Sequence, residues 1–135
     1  MSLDMEMKLI RFAIAEVGQP FAWGYRDCGA LALRALDAMT GGSAAAGILR
    51  KYDTKEGALS AQERFGKIGE ILRRAGALPA PAGFERTGDF LLAHAGPFQA
   101  AHVYLHGKAL SAHPDHGVRM FPLRAIKKYT VLRVA

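Results

Sequence analysis

Residues 20–31 read Pro-Phe-Ala-Trp-Gly-Tyr-Arg-Asp-Cys-Gly-Ala-Leu, and the run from Cys28 to Met39, CGALALRALDAM, continues them with little but alanine and leucine. Pro20 and Gly24 around Phe21 and Trp23 predict an ordered loop. The run after it has strong helix propensity and few charged positions, with Asp27 in the N-cap position. The stretch therefore predicts a buried central helix with Cys28 in its first turn. Upstream, Leu9, Ile10, Phe12, Ala13, Ile14 and Val17 fall largely on one side at helical spacing. They predict a helix over Leu3–Val17, capped by Ser2 or Asp4 and closed by Gly18. Downstream, Gly41-Gly42-Ser43 ends the central helix, and Asp53 or Thr54 caps a further helix toward Arg74 that Gly57, Gly66 and Gly69 break in two.

After Gly76 the pattern changes. Residues 78–83 (LPAPAG) read as a Pro/Gly connector, and short β-like runs follow at Gly88–His94, Ala100–His106, Lys108–His113, Gly117–Phe121 and Tyr129–Val134. Gly107 and Pro114–Gly117 supply turns, and Leu123–Lys128 is long enough for one helical turn. Helices first and consecutive strands second is an α+β pattern with an antiparallel meander.

The chain has 135 residues, 50% of them hydrophobic and 22% charged, which is enough for one domain over 1–135 with a real core. That balance excludes a disordered chain, a collagen-like repeat and a coiled coil. One cysteine excludes an internal disulfide framework. The net charge of +6 is concentrated at the C-terminal end, where residues 104–135 carry 6 basic and 1 acidic group of the chain's 18 and 12. Such asymmetry favours a polyanionic partner: nucleic acid, a membrane surface or an acidic wall polymer. No stacking platform or recognition helix accompanies the basic residues, so no specific nucleic acid is expected. The apolar stretch Leu9–Val17 is interrupted by Arg11 and Glu16 and follows Asp4 and Glu6, which is not the pattern of a signal peptide. No run of apolar residues is long enough for membrane insertion.

Cysteine attacks as thiolate, and the first turn of a helix favours negative charge, so the position of Cys28 predicts a lowered pKa. A cysteine nucleophile also needs an imidazole in reach and a third polar group to orient it. All five histidines, at 94, 102, 106, 113 and 116, lie in the strand-rich half. On a strand His102 and His106 share a face, so either could serve as base. His94 and His116 read as surface residues. His113 and His116 could join His94 or His102 around a metal, but no helical HExxH or cysteine pair supports zinc, and no metal or cofactor is expected.

The stretch Pro20–Leu31 resembles the PYxWGG…DCSGL signature of the NlpC-type cell-wall endopeptidases, a papain-like cysteine peptidase superfamily. Gly88–Leu92 resembles its Gly-Asp-hydrophobic strand, Ala101–Leu105 its His-Val-Gly-Ile-Tyr strand, and Leu110–His113 the strand after that. RKYDTKEGA (50–58), with the Gly-Val…Pro-Leu ending at 117–123, is similar to a small phage and prophage branch associated with tail genes. The resemblance implies an α+β papain-like fold and a Cys-His-His triad. Cys28 is then nucleophile, His102 general base and His113 the orienting member. It implies hydrolysis of peptidoglycan stem peptides, after γ-D-glutamate, through a thioester, by a protein made in the cytoplasm and acting at the wall, in association with phage tail proteins. Two rivals stand beside this expectation: an amidase or acyltransferase on the same scaffold, and a tail-assembly component with reduced or no activity.

The departures are specific. Gly29 replaces the serine after the cysteine, and Phe21 replaces the tyrosine of the Pro-Tyr pair. The His102 strand has lost one residue, leaving His113 eleven positions on. Phe21 brings no hydroxyl to the oxyanion side, so either Tyr25 substitutes or that contribution is missing. Phe21, Trp23 and Tyr25 are the expected substrate-binding residues, although packing of Phe21 and Trp23 onto the first helix would explain them equally. Asp27 is expected to cap the helix and Asp89 to pin a strand start.

Overall fold

The computed structural model describes residues 1–134; Ala135, the last position of the expected domain, lies outside the described residues. Four helices precede the sheet: α1 (Leu3–Glu16), α2 (Cys28–Thr40), α3 (Lys55–Phe65) and α4 (Ile68–Arg74). Ser2 caps α1, Asp27 caps α2 by accepting from the N–H of Ala30, and Thr54 caps α3. The third helical segment is broken near Gly66, where φ is +97°. Six strands follow: β1 (Leu78–Ala80), β2 (Phe90–Ala95), β3 (Phe98–Leu105), β4 (Lys108–His113), β5 (Gly117–Pro122) and β6 (Thr130–Arg133). A 3-10 turn at Leu123–Ala125 separates the last two.

All pairings are antiparallel, in the order β1-β6-β2-β3-β4-β5. Strands β2 to β5 form the expected meander, and β6 returns to the free side of β2. Leu78–Ala80 corrects the sequence reading of a plain connector. With Pro79 confined to a sheet edge, the segment pairs with β6, where a missing N–H costs no ladder bond.

Helix α2 packs on one face of this sheet. Its Leu31, Leu33, Leu36 and Met39 join Leu9 of α1 and Phe90, Val103, Leu110 and Leu132 of the strands in the principal core. A smaller cluster of Leu91, Ala109, Ile126 and Val131 covers the opposite face. The architecture is α+β, with N-terminal helices and the Cys28 helix laid against an antiparallel sheet.

Two polar devices fix elements around the site. Glu16 is buried, with Arg26 on both of its oxygens and Arg34 on Oε1. Burial pushes its carboxyl up most strongly, but the two guanidiniums together hold it below the usual range. They tie the end of α1 to the loop before α2. Asp89, also buried, accepts from Arg86 N–H and from Arg133 Nε and Nη2 at 2.8–2.9 Å, which pins the start of β2 to β6 as expected.

Candidate active site

The turn between β3 and β4 decides which histidine enters the site. His106 (φ +47°) and Gly107 (φ +85°) are its two residues, both left-handed, as a tight two-residue hairpin requires. The residue missing from the hairpin is therefore absorbed by a short turn. His106 leaves the strand face, and its ring meets Glu6 at 3.2 Å. The alternative of His106 as base is corrected on this ground.

Strands β3 and β4 pair through Val103↔Leu110, Tyr104↔Ala109 and Leu105↔Lys108. One further step of that register sets His102 across from Ser111 and leaves His113 on the same face, two residues along. Ser111 is buried and donates its hydroxyl to Ala101 O at 2.7 Å, in place of a further backbone rung. Beyond it the β3 edge at residues 99–101 is open to α2, and Cys28 enters there. Its Sγ lies 3.9 Å from Gln99 O, with the Ala101 N–H also directed to it.

His102 stands on the adjoining wall of the same cavity, which Cys28, Ser111 and His113 also line. Its Nδ1 is 3.2 Å from Leu91 O. A carbonyl can only accept, so Nδ1 carries the proton and Nε2 keeps a lone pair. Burial holds the ring below the ordinary histidine pKa, against the opposing effect of the Leu91 carbonyl, so the imidazole is neutral at pH 7.

His113 is placed differently from what the resemblance implies. Its ring is half exposed and stacks beside His116 at 5.0 Å, and its Nδ1 accepts from Asp115 N–H at 3.1 Å. The group that holds the His102 ring in this structure is the Leu91 carbonyl. His113 is at the cavity rim. Among the described residues no three His, Cys, Asp or Glu side chains gather as a metal site, and no helix is long and apolar enough to cross a membrane.

The expected lowering of the Cys28 pKa is also corrected. Burial pushes the thiol up to about 11, with the Asp27 carboxylate adding to it; N–H groups of Ala101, Gly29 and Cys28 itself oppose this without overcoming it. The helix start helps, but removal of the sulfur from water outweighs it. Alkylation of Cys28 should accordingly keep accelerating with pH up to about 11. A plateau already reached near pH 6, measured by iodoacetamide rates, would contradict the geometry.

Asp27 does more than cap. One oxygen accepts from Ala30 N–H, and the other from Gly24 N–H (2.8 Å) and from the Tyr52 hydroxyl (2.7 Å). Tyr52 lines the cavity beside Cys28 and was not singled out from the sequence. Burial, followed by the Asp27 charge and hydrogen bond, raises its pKa far above the ordinary value, so it is a permanent phenol. Gly24 is needed at its position. Its φ is +82°, and a Cβ there would lie 2.1 Å from Tyr52 O. Tyr25, expected near the substrate, lies instead against guanidiniums, with Arg34 at 3.9 Å and Arg50 at 4.3 Å from its ring centre. Phe21 and Trp23 do line the cavity, edge to face at 4.8 Å.

A cysteine at a helix start, over a strand edge and sharing a cavity with a strand-borne histidine, is an arrangement that matches the papain-like NlpC-type architecture. The chain belongs to the family described as a domain of unknown function, DUF6950, which matches residues 3–130. Among solved structures it is similar to the peptidoglycan hydrolase RipB from Mycobacterium tuberculosis, with 20% identity and a TM-score of 0.58 over 96% of this chain and 64% of that one. It is likewise similar to a mutated form of the Resuscitation Promoting Factor Interacting protein RipA, with 20% identity and a TM-score of 0.59 over 96% and 62%. The chain thus spans less than two thirds of either structure, and at this identity the likeness is one of fold. No curated protein sequence matches it.

Proposed function

We propose that the protein is a cysteine hydrolase of peptide-type amide bonds, acting as one domain over 1–135. The observation that carries this reading is the convergence of Cys28 and His102 on one cavity of about 490 Å³. Cys28 is the nucleophile. Because thiol and imidazole are both neutral at rest, His102 Nε2 takes the thiol proton as sulfur attacks the carbonyl carbon, and returns it to the leaving amine. The thioester left on Cys28 is then cleaved by water, which His102 deprotonates in turn. N–H groups at the start of α2 face the developing oxyanion. Orientation of His102 falls to the Leu91 carbonyl.

Peptidoglycan stem peptides are the substrate class supported by the resemblance and by the fold shared with RipB. The bond after γ-D-glutamate and an association with phage tails rest on sequence resemblance alone. The assignment is tested by digesting purified peptidoglycan and following released peptides by mass spectrometry. Release should persist in EDTA and stop on Cys28→Ala. Loss of release in EDTA with recovery on zinc would replace this mechanism by a metal-dependent one.

The burial that raises the thiol pKa favours a second reading, a domain that keeps the fold with little or no activity; a tail-assembly role for it rests on sequence resemblance alone. An amidase or acyltransferase would use the same thioester with a different bond or acceptor, since the fold does not fix either. Release of acyl groups to added amines, rather than to water, would select the acyltransferase.

A further inference from the structure

The walls around Cys28 differ in kind from its catalytic floor. Trp23 lies 6.0 Å from Phe98 on one side, Ile68 and Ile71 form another, and Phe121 and Ile126 line the cavity as well. Among the described lining residues other than histidine, the carboxylic acids and amines are Asp27 and Lys55. Asp27 offers nothing to a ligand, because its oxygens already accept from Gly24, Ala30 and Tyr52. Lys55 is exposed, at the first residue of α3, and no hydrogen bond or ion pair among the described residues fixes its ammonium toward Cys28. The guanidiniums of Arg26, Arg34 and Arg50 are committed elsewhere, around the Tyr25 ring, and among the described residues no arginine lines the cavity. A carboxylate drawn in beside Cys28 would therefore lose its hydration with no fixed cation to replace it. An uncharged hydrocarbon group would exchange water for aromatic and aliphatic walls.

We infer that the group whose carbonyl carbon Cys28 attacks is uncharged and apolar, a hydrophobic amino-acid residue or short acyl chain, and not a residue bearing a free carboxylate. The inference rests on the reading of Cys28 as nucleophile for its place in the reaction, and narrows that reading to one substrate class. It runs against the expected cleavage after γ-D-glutamate, whose free carboxylate would enter this part of the groove.

Trp23 is the chain's single tryptophan and stands in the wall, so binding can be read without any turnover. The experiment titrates the full chain carrying Cys28→Ala with butanamide, hexanamide and octanamide, and with γ-D-glutamyl-alanine, following Trp23 fluorescence. The amides should give a saturable change that tightens by up to about fourfold per added methylene, while the acidic dipeptide gives none in the same range. Phe98→Ser should flatten the dependence on chain length. An acidic dipeptide that binds as tightly as hexanamide, or amide binding independent of chain length, would overturn the inference. Turnover by the unsubstituted chain is scored separately. Apolar binding without turnover counts against Cys28 as nucleophile and leaves the groove's selectivity standing, whereas turnover with acidic preference does the reverse.

Discussion

Replacing Cys28 by alanine is expected to lower turnover of any substrate the protein cleaves by about a thousandfold or more, and His102→Ala by nearly as much. The double variant should be little worse than either single one, because nucleophile and base act as a unit. His113→Ala should cost far less, since its Nδ1 is held by Asp115 N–H while His102 is held by Leu91 O. The comparison of kcat among these variants checks the assignment directly. If His113→Ala matched His102→Ala in folded protein, the orienting role would return to the histidine. The pH dependence has a definite sign. Burial lowers the pKa of His102 and raises that of Cys28, so activity should rise with pH as His102 loses its proton below the ordinary 6.5 and should not fall until well into the alkaline range. The same His102 shift makes the fold less stable on acidification, since the unfolded chain takes up the proton at a higher pH than the folded one.

The second large effect belongs to Asp27. Asp27→Ala is expected to destabilise the protein by about 3 kcal/mol, made up of a lost helix cap and of buried donors at Gly24 and Tyr52 left unpaired. Urea denaturation should show a lower midpoint with an unchanged slope. Asp27→Asn, which keeps an acceptor for Ala30 or Tyr52, should recover part of the loss. A shift below about 0.5 kcal/mol would mean that water replaces the carboxylate freely and that the cap does not organise the loop. Tyr52→Phe separates the two contributions, because it removes the hydroxyl while leaving the helix cap in place.

Much of this architecture is legible in the sequence, because the deciding signals are local. The helix start at Cys28 follows from Asp27 and the Ala/Leu run, and Lys108–His113 was bounded by its turns. Leu78–Ala80 was not legible as a strand. Pro79 within it and Pro81 just after it look like a connector, and only the partner β6, more than fifty residues on, makes it an edge. The same holds at the site. That Cys28, His102, Phe21 and Trp23 come to one cavity was readable from motif and order. Tyr52 was not, since its role depends on a bond across 25 residues to Asp27, although the aromatic at the centre of Arg50–Asp53 was the available signal.

Charge and burial misled where they compete. The helix start argues for a thiolate at Cys28, yet sequence carries no measure of how far the sulfur is withdrawn from water. Likewise, nothing in the spacing from His102 to His113 reveals that a carbonyl of the neighbouring strand occupies the ring nitrogen first. Tyr25 looked like a substitute for the missing hydroxyl at Phe21, but three nearby arginines claim its ring.

The central claim is that Cys28 carries the acyl group with His102 as its neutral base. The measurement is intact and peptide-level mass spectrometry of the protein quenched in acid after mixing with p-nitrophenyl hexanoate, an ester reactive enough for acylation to outrun hydrolysis. A single hexanoyl group on Cys28, formed at a rate that rises with pH and falls steeply in His102→Ala, is the predicted result. Acylation at other side chains with Cys28 unmodified, or a Cys28 adduct formed equally fast without His102, would contradict it.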